Sequence, residues 1–118
     1  MAHQIVIVDD SQQFRRTAAR LLRARGFELS GEAADGEQAL EIVSRRCPDG
    51  VLLDINLPGP DGFAVAPLLA SACPGARIVM TSAAVDRVPA SALKACGAAA
   101  FVPKVELAVA DLQELFAA

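Results

Sequence analysis

The sequence predicts an α/β fold in which a parallel five-stranded sheet is covered by helices on both faces. Short apolar runs alternate five times with longer segments in which apolar residues recur at helical spacing. Most of these runs are rich in branched side chains at successive positions, which is typical of strands buried on both faces. Strict alternation of strands and helices implies right-handed crossovers between parallel strands.

Five segments are predicted to be strands. Four of them are continuous apolar runs, at Ile5–Val8, Val51–Leu53, Ile78–Met80 and Ala99–Val102. The remaining segment, Phe27–Ser30, alternates apolar and polar residues, and this pattern suits a strand at the edge of the sheet.

The first two helices have clear ends. Ser11 can cap the first helix, whose apolar face is formed by Phe14, Ala18, Leu21 and Leu22. Gly26 then ends it. Gly36 opens the second helix, which buries Ala39, Leu40 and Val43 and ends before Cys47 and Pro48.

The remaining helices are less regular. Asp61 can cap a third helix from Phe63 to about Ala72, and Pro67 inside it should kink the helix or remove one backbone hydrogen bond. A short fourth helix is predicted near 89–96. The fifth is predicted to carry four apolar residues on one side, namely Val105, Val109, Leu112 and Phe116.

Composition limits the classes of function. The chain has 118 residues, 53% of them hydrophobic and 21% charged, which predicts one globular domain over residues 1–118. A net charge of −3 and the absence of Trp and Tyr argue against direct binding of nucleic acid. No apolar run is long enough to span a membrane, and no secretory signal is visible.

The three cysteines, Cys47, Cys73 and Cys96, are widely spaced and form no CxxC pair. The chain has a single His. This pattern predicts neither a disulfide framework nor a zinc site, and it indicates reduced thiols in a cytoplasmic protein.

Charged residues follow three of the predicted strands. Asp9 and Asp10 end the first strand, Asp54 ends the third, and Lys104 follows the fifth. A flavodoxin-like strand order of 2-1-3-4-5 makes strands 1 and 3 neighbours at the topological switch point, where ligands bind. Two unit charges about 4 Å apart repel by roughly 4 kcal/mol near a protein surface. Clustered carboxylates therefore need a cation, and hard oxygen ligands suit Mg²⁺, which suggests phosphoryl chemistry.

Four motifs resemble those of response-regulator receiver domains in bacterial two-component signalling, such as the chemotaxis regulators. They are IVIVDDS at Ile5–Ser11, LLDINLPGPDG at Leu52–Gly62, MTS at Met80–Ser82 and GAAAFVPK at Gly97–Lys104. Each motif alone is weak evidence for the family, but the four motifs in this order at strand ends are specific together. The resemblance covers nearly the whole chain.

The resemblance implies a role for each charged residue of the predicted pocket. Asp54 would accept the phosphoryl group as a carboxylate nucleophile. Asp9 and Asp10 would hold Mg²⁺, with Asp54 and the backbone carbonyl of Asn56 completing the protein ligands. Lys104 would form a salt bridge to the phosphoryl group.

Two further residues match the family's switch positions. Thr81 would donate its hydroxyl to a phosphoryl oxygen, and Phe101 would be the aromatic residue that changes its packing. The resemblance assigns Pro58 and Gly62 only to the shape of the loop after the acceptor.

One position departs from the pattern of many receivers, in which a cis proline follows the lysine. Here Pro103 precedes Lys104 and Val105 follows it. We predict a trans bond between Lys104 and Val105, because a cis bond to a non-proline residue costs about 2.5–4 kcal/mol. The run FVPKVEL resembles receivers joined to LuxR-type DNA-binding output domains.

The implied function is Mg²⁺-dependent transfer of a phosphoryl group from a kinase phosphohistidine to Asp54. The implied partners are a sensor histidine kinase or phosphotransfer protein, and an output domain or downstream protein. These would meet the chain through the face formed by the fourth helix, fifth strand and fifth helix. The domain would assist its own phosphorylation and dephosphorylation without being an enzyme.

Other functions fit the sequence less well. A phosphorylation-independent interaction module would not need the acidic set. A haloacid-type phosphatase would need an acidic residue where Asn56 stands, and an FMN binder would need a glycine- and hydroxyl-rich loop after the first strand.

Overall fold

The computed structural model describes residues 3–117 of the chain, which form a parallel sheet of five strands in the order β2-β1-β3-β4-β5. The strands are β1 (Gln4–Val8), β2 (Glu28–Ala33), β3 (Gly50–Asp54), β4 (Arg77–Ser82) and β5 (Ala100–Pro103). The helices are α1 (Gln12–Ala24), α2 (Gly36–Arg45), α3 (Gly62–Ala72), α4 (Ala90–Cys96) and α5 (Leu112–Ala117). This is the predicted flavodoxin-like α/β fold with the predicted strand order.

Alternate residues of the central strands face two separate apolar cores. In β1, Val6 and Val8 belong to the core that includes the buried residues of α2 and α3. Ile5 and Ile7 belong to the core that includes the buried residues of α1 and α5. Both faces of the strand are therefore buried, which explains why its sequence is continuously apolar.

The predicted caps of α1 and α3 are present, and α2 has a similar cap, Asp35, that was not predicted. Ser11, Asp35 and Asp61 each accept a hydrogen bond from the backbone N–H three residues later, at the start of α1, α2 and α3. Gly26 follows the end of α1 with a positive φ of 91°. The helix α3 continues through Pro67.

The prediction for the last helix was wrong over its first half. Residues Lys104–Glu106 form a 3₁₀ turn, and the α-helix begins only at Leu112. The guanidinium of Arg25 donates to the carbonyls of Ala108 and Ala110, which a continuous helix would have used internally. Val105 and Val109 are consequently 88% and 84% exposed, although both were predicted to lie on the buried side.

The prediction of reduced thiols was also wrong for two of the three cysteines. Cys47 and Cys73 form a disulfide, with their Cα atoms 5.6 Å apart, whereas Cys96 is free and buried. The two bonded residues are separated by 26 positions in the sequence. They meet only because α2 and α3 pack side by side, and spacing alone cannot show this.

Among the described residues, no helix is both long and apolar enough to cross a membrane.

Candidate functional site

The carboxyl ends of β1 and β3 bring three carboxylates together. These strands are hydrogen-bonded neighbours, and Val8 pairs with Leu53 just before the acidic residues. Carboxylate oxygens of Asp9, Asp10 and Asp54 lie within 4.8 Å of one another. Asp9 and Asp54 are buried whereas Asp10 is exposed, so the cluster opens to solvent on the side of Asp10.

Asp9 is held by its surroundings. Its carboxylate oxygen Oδ1 accepts a hydrogen bond from the N–H of Ser11 at 2.9 Å. Its backbone N–H donates to the carbonyl of Ala33, and its own carbonyl accepts from Nη1 of Arg15 at 2.6 Å. The capping of α1 falls to Ser11, which leaves the second oxygen of Asp9 facing the pocket.

Lys104 reaches the acidic cluster as predicted. Its Nζ lies 2.6 Å from Oδ2 of Asp9 and 3.8 Å from Oδ2 of Asp54. The same ammonium lies 4.1 Å from the centre of the Phe14 ring, a cation–π geometry. No cis peptide bond occurs among residues 3–117, so the Lys104–Val105 bond is trans as predicted.

The charges of the pocket do not balance within the protein. Three carboxylates face one ammonium, which leaves two negative charges. Burial raises the pKa of Asp54, and the nearby charges of Asp9 and Asp10 raise it further. The N–H of Asn56, which donates to Asp54 at 3.2 Å, and the charge of Lys104 lower this pKa without cancelling the rise. The oxygen donors and the charge deficit both suit a hard divalent cation.

Thr81 lies on the strand next to Asp54. The two residues are paired in the ladder between β3 and β4, and the N–H of Ile55 donates to the carbonyl of Thr81 at 2.9 Å. The hydroxyl oxygen of Thr81 is buried and has no hydrogen-bond partner among residues 3–117. Because buried hydroxyls are normally hydrogen-bonded, this group is available to a ligand of the pocket.

The hydroxyl of Ser82 connects two loops, a contact that the sequence did not indicate. It donates to Oδ1 of Asn56 at 2.8 Å and accepts from the N–H groups of Ala84 and Val85. Ser82 is 1% exposed. The only sequence indication was a hydroxyl residue directly after the predicted switch threonine.

Phe14 was likewise predicted only as a core residue of α1. Its spacing with Ala18 and Leu21 accounts for its place on the apolar face. Nothing in that periodicity indicates that its ring would also contact the ammonium of Lys104.

Phe101 lies outside the acidic cluster. It pairs with Met80 in the ladder between β4 and β5, is half-buried, and packs against the core that includes α2 and α3 residues. It therefore sits one strand beyond Thr81, on the edge strand of the sheet.

Gly62 brings the start of α3 against the end of β3. Its N–H donates to the carbonyl of Ile55 at 2.8 Å. A Cβ at this position would lie 2.6 Å from the backbone oxygen of Asp54 and 2.8 Å from Cα of Ile55. Only glycine permits this approach without displacing the backbone that carries Asp54.

The parallel five-stranded sheet and the acidic pocket at the ends of β1 and β3 are the features expected of a receiver domain. The sequence model of the response regulator receiver domain matches residues 5–117. The chain therefore belongs to the response regulator receiver domain family.

Relatives and solved structures agree with this membership. The transcriptional regulatory protein PdtaR of Mycobacterium tuberculosis is 32% identical over 97% of this chain. A two-component response regulator of the LuxR family from Aurantimonas is 28% identical, with a TM-score of 0.86 over 96% of this chain and 81% of that one. A chain of the CheX–CheY–BeF3–Mg+2 complex from Borrelia burgdorferi is 26% identical, with a TM-score of 0.81 over 97% of this chain and 89% of that one.

This chain spans 60% of the length of PdtaR.

Proposed function

We propose that this domain receives a phosphoryl group on Asp54, in a Mg²⁺-dependent transfer from the phosphohistidine of a sensor histidine kinase or phosphotransfer protein. The observation that carries the proposal is the buried carboxylate of Asp54, placed at a strand end beside two further carboxylates and one ammonium. A CheY-containing structure of similar fold is described as a complex with BeF3 and Mg+2, which supports the same chemistry here.

The three carboxylates have different roles. Asp54 is the nucleophile, and its oxygen attacks phosphorus while the histidine nitrogen leaves. Asp9 and Asp10, together with Asp54 and the backbone carbonyl of Asn56, would hold the metal. When bound, Mg²⁺ supplies the positive charge that the pocket lacks. Asp9 is held in place by Ser11, so its contribution needs little rearrangement.

Lys104 and Thr81 stabilise the transferred group. The ammonium lies 3.8 Å from Asp54 in the unphosphorylated domain, close enough to pair with a phosphoryl oxygen after a small movement. The hydroxyl of Thr81, which is buried and without a partner in the described chain, then donates to another phosphoryl oxygen. Positioning and charge neutralisation of this kind account for most of the catalysis in phosphoryl transfer.

The phosphorylated state is read through the face formed by α4, β5 and α5. Thr81 moves toward the phosphoryl group, and the half-buried Phe101 on the neighbouring strand changes its packing. A downstream protein or an output domain binds this face in one of the two states. The domain itself binds neither nucleic acid nor membrane.

Membership of the family supports the remaining parts of the proposal. Residues 1–118 form a single receiver domain, and its location is the cytoplasm, where the kinase presents its phosphohistidine. The domain assists its own phosphorylation and dephosphorylation and has no separate substrate to turn over.

The test is labelling by acetyl phosphate, followed by intact mass and site mapping. The wild type should gain one phosphoryl group at Asp54 with Mg²⁺ and none without it. Asp54→Asn should gain none, because an amide is a poor nucleophile. Asp86→Asn is the matched control, since Asp86 is an exposed acid outside the cluster, and it should label as the wild type does.

Lys104→Ala separates labelling from signalling. Some labelling should persist, but the NMR shifts of Thr81 and Phe101 that follow it in the wild type should be lost. Labelling of Asp54→Asn at the wild-type rate would exclude the receiver mechanism. The domain would then be a phosphorylation-independent interaction module.

A further inference from the structure

The disulfide lies at the end of the sheet opposite to the acidic pocket. Cys47 is in the loop between α2 and β3, just before β3 begins, and Cys73 is the residue that caps the end of α3. Asp54 lies at the other end of β3. The bond therefore belongs to neither the metal cluster nor the switch residues.

The two sulfur-bearing residues differ in accessibility. Cys47 is exposed, whereas Cys73 is 2% exposed and belongs to the apolar core. A thiolate opens a disulfide by attacking one of its sulfur atoms from outside, so access decides which sulfur is attacked. Here an external thiolate can approach through Cys47.

Acceptors for both thiols are already in place. Sγ of Cys73 lies 3.5 Å from the carbonyl oxygen of Val43, and Sγ of Cys47 lies 3.6 Å from the carbonyl oxygen of Ala72. On reduction each S–H can donate to its neighbouring carbonyl. Each reduced thiol would therefore have a carbonyl acceptor close to the present position of its sulfur atom.

The bond ties α3 to the segment that follows α2. Near the other end of this helix pair the contact is already close, because a Cβ on Gly36 would lie 2.5 Å from a methyl group of Val65. The N–H of Cys73 donates to the carbonyl of Leu69 in the last turn of α3. Reduction would release this last turn while leaving the contact at Gly36 intact.

We propose that Cys47 and Cys73 form a reversible thiol–disulfide site, whose reductant is a low-molecular-weight thiol or a dithiol protein. The reductant thiolate attacks Sγ of Cys47 and forms a mixed disulfide, and the sulfur of Cys73 leaves as a thiolate that takes up a proton. A second reductant thiolate then releases Cys47. Two electrons pass from two reductant thiols, which become a disulfide, to the protein pair.

One step of this inference rests on the location given under the proposed function. Protein disulfides in the cytoplasm are mostly transient, catalytic or redox-sensing, so that location favours a reversible bond over a permanent one. The exposure of Cys47, the burial of Cys73 and the carbonyl contacts do not depend on it.

The test uses the whole chain, alkylation and intact mass. Without reductant, the native protein should take up no label, and after unfolding only Cys96 should react. After incubation with reduced glutathione under native conditions, Cys47 should react first. Cys73 and Cys96 should react at least about a hundred times more slowly while the protein stays folded, because buried thiols are inert.

Two variants serve as controls. Cys96→Ala should retain the disulfide and the fast labelling of Cys47. Cys47→Ser should leave Cys73 unreactive in the folded protein, and exchange of the Cys73 amide should be faster than in the oxidised wild type. A mixed disulfide with glutathione should map to Cys47 in Cys73→Ala.

Three alkylatable thiols in the unreduced, unfolded protein would overturn the proposal, since no disulfide would exist. Opening of the bond only under denaturing conditions would overturn its reversibility. Labelling of Asp54 by acetyl phosphate in Cys47→Ser tests the proposed function separately, because that reaction does not involve the sulfur atoms.

Discussion

Lys104 shows how one side chain is shared among several partners. Its ammonium contacts Asp9 at 2.6 Å, Asp54 at 3.8 Å and the ring of Phe14 at 4.1 Å. The closest carboxylate is thus that of Asp9 and not that of the proposed acceptor, Asp54. A cation that neutralises Asp9 would weaken this contact and free the ammonium to move toward Asp54.

The first prediction concerns the charge of Asp54. Burial and the charge of Asp9 raise its pKa above the ordinary value of 3.8, so the folded state binds a proton more tightly than the unfolded state. Below that ordinary value both states are protonated and stability is unaffected. As pH rises through the raised pKa, stability is lost, and above it the loss is constant.

Asp54→Asn should therefore raise the Tm in metal-free buffer at neutral pH. The gain should shrink toward zero near pH 3.8, where the unfolded carboxyl also becomes protonated. Thermal unfolding followed between about pH 4 and pH 8 measures it. Asp86→Asn, which removes an exposed carboxyl group outside the cluster, is the control. A Tm difference between Asp54→Asn and the wild type that grows as the pH falls would contradict the predicted pH dependence.

The second prediction concerns the exposed carboxylate of the cluster. Asp10→Ala should weaken Mg²⁺ binding about tenfold or more, equivalent to roughly 1.4 kcal/mol, because the open side of the pocket loses a ligand. Calorimetry with Mg²⁺ measures this directly. Asp86→Ala should bind as the wild type does, and equal binding by Asp10→Ala would remove this carboxylate from the metal site.

At the scale of helices and strands, short-range sequence patterns predicted most of the elements that position the site. Continuous apolar runs gave the central strands, and Ser11 and Asp61 gave the helix starts, because each of these depends on neighbouring residues only. The second half of the chain contains the exception. Residues 104–111 have a helical pattern, but the carbonyls that a helix needs are bound by Arg25, a residue far away in the sequence.

Some features of the site could likewise be predicted from the sequence, and others could not. The positions of Asp9, Asp54 and Lys104 follow from strand order, which the alternation predicted. The bridge from Ser82 to Asn56 and the ring beneath Lys104 depend on the orientation of side chains from different elements. The spacing of residues along the sequence does not indicate how these side chains are oriented.

The third prediction tests the junction between β3 and α3. Gly62→Ala should lower the free energy of unfolding by about 1–3 kcal/mol, because the added methyl group meets the backbone of Asp54 and Ile55. Gly75→Ala is a matched control, since a Cβ there would meet nothing within 4 Å. It should be neutral or stabilising by up to about 1 kcal/mol. Urea unfolding measures the stability of both variants. Equal stabilities would contradict the close contact between Gly62 and the backbone of Asp54 and Ile55.

At the scale of the whole molecule, the two ends of the sheet carry different chemistry. The carboxyl ends of the strands hold the acidic pocket, and the opposite end holds the disulfide. The sequence showed the first because acids follow apolar runs. It could not show the second, because the pairing of Cys47 with Cys73 depends on how two helices pack.

The fourth prediction concerns global stability. A disulfide that closes a loop between residues 26 positions apart restricts the unfolded chain, and reduction should lower the free energy of unfolding by about 3–4 kcal/mol. Urea unfolding with and without reductant measures the difference. Cys96→Ala should show the same difference, because Cys96 is outside the bond. A difference below about 1 kcal/mol would contradict this prediction.

The hydroxyl of Ser82 ties the loop after β4 to the loop after β3. Its oxygen accepts from the amides of Ala84 and Val85, and its hydrogen goes to the side chain of Asn56. Ala84 and Val85 lie only two and three residues beyond Ser82 and move with it, so a displacement of this loop breaks only the hydrogen bond to Asn56. A displacement of the loop after β4 and a reorientation of the Asn56 side chain are therefore coupled through this hydrogen bond.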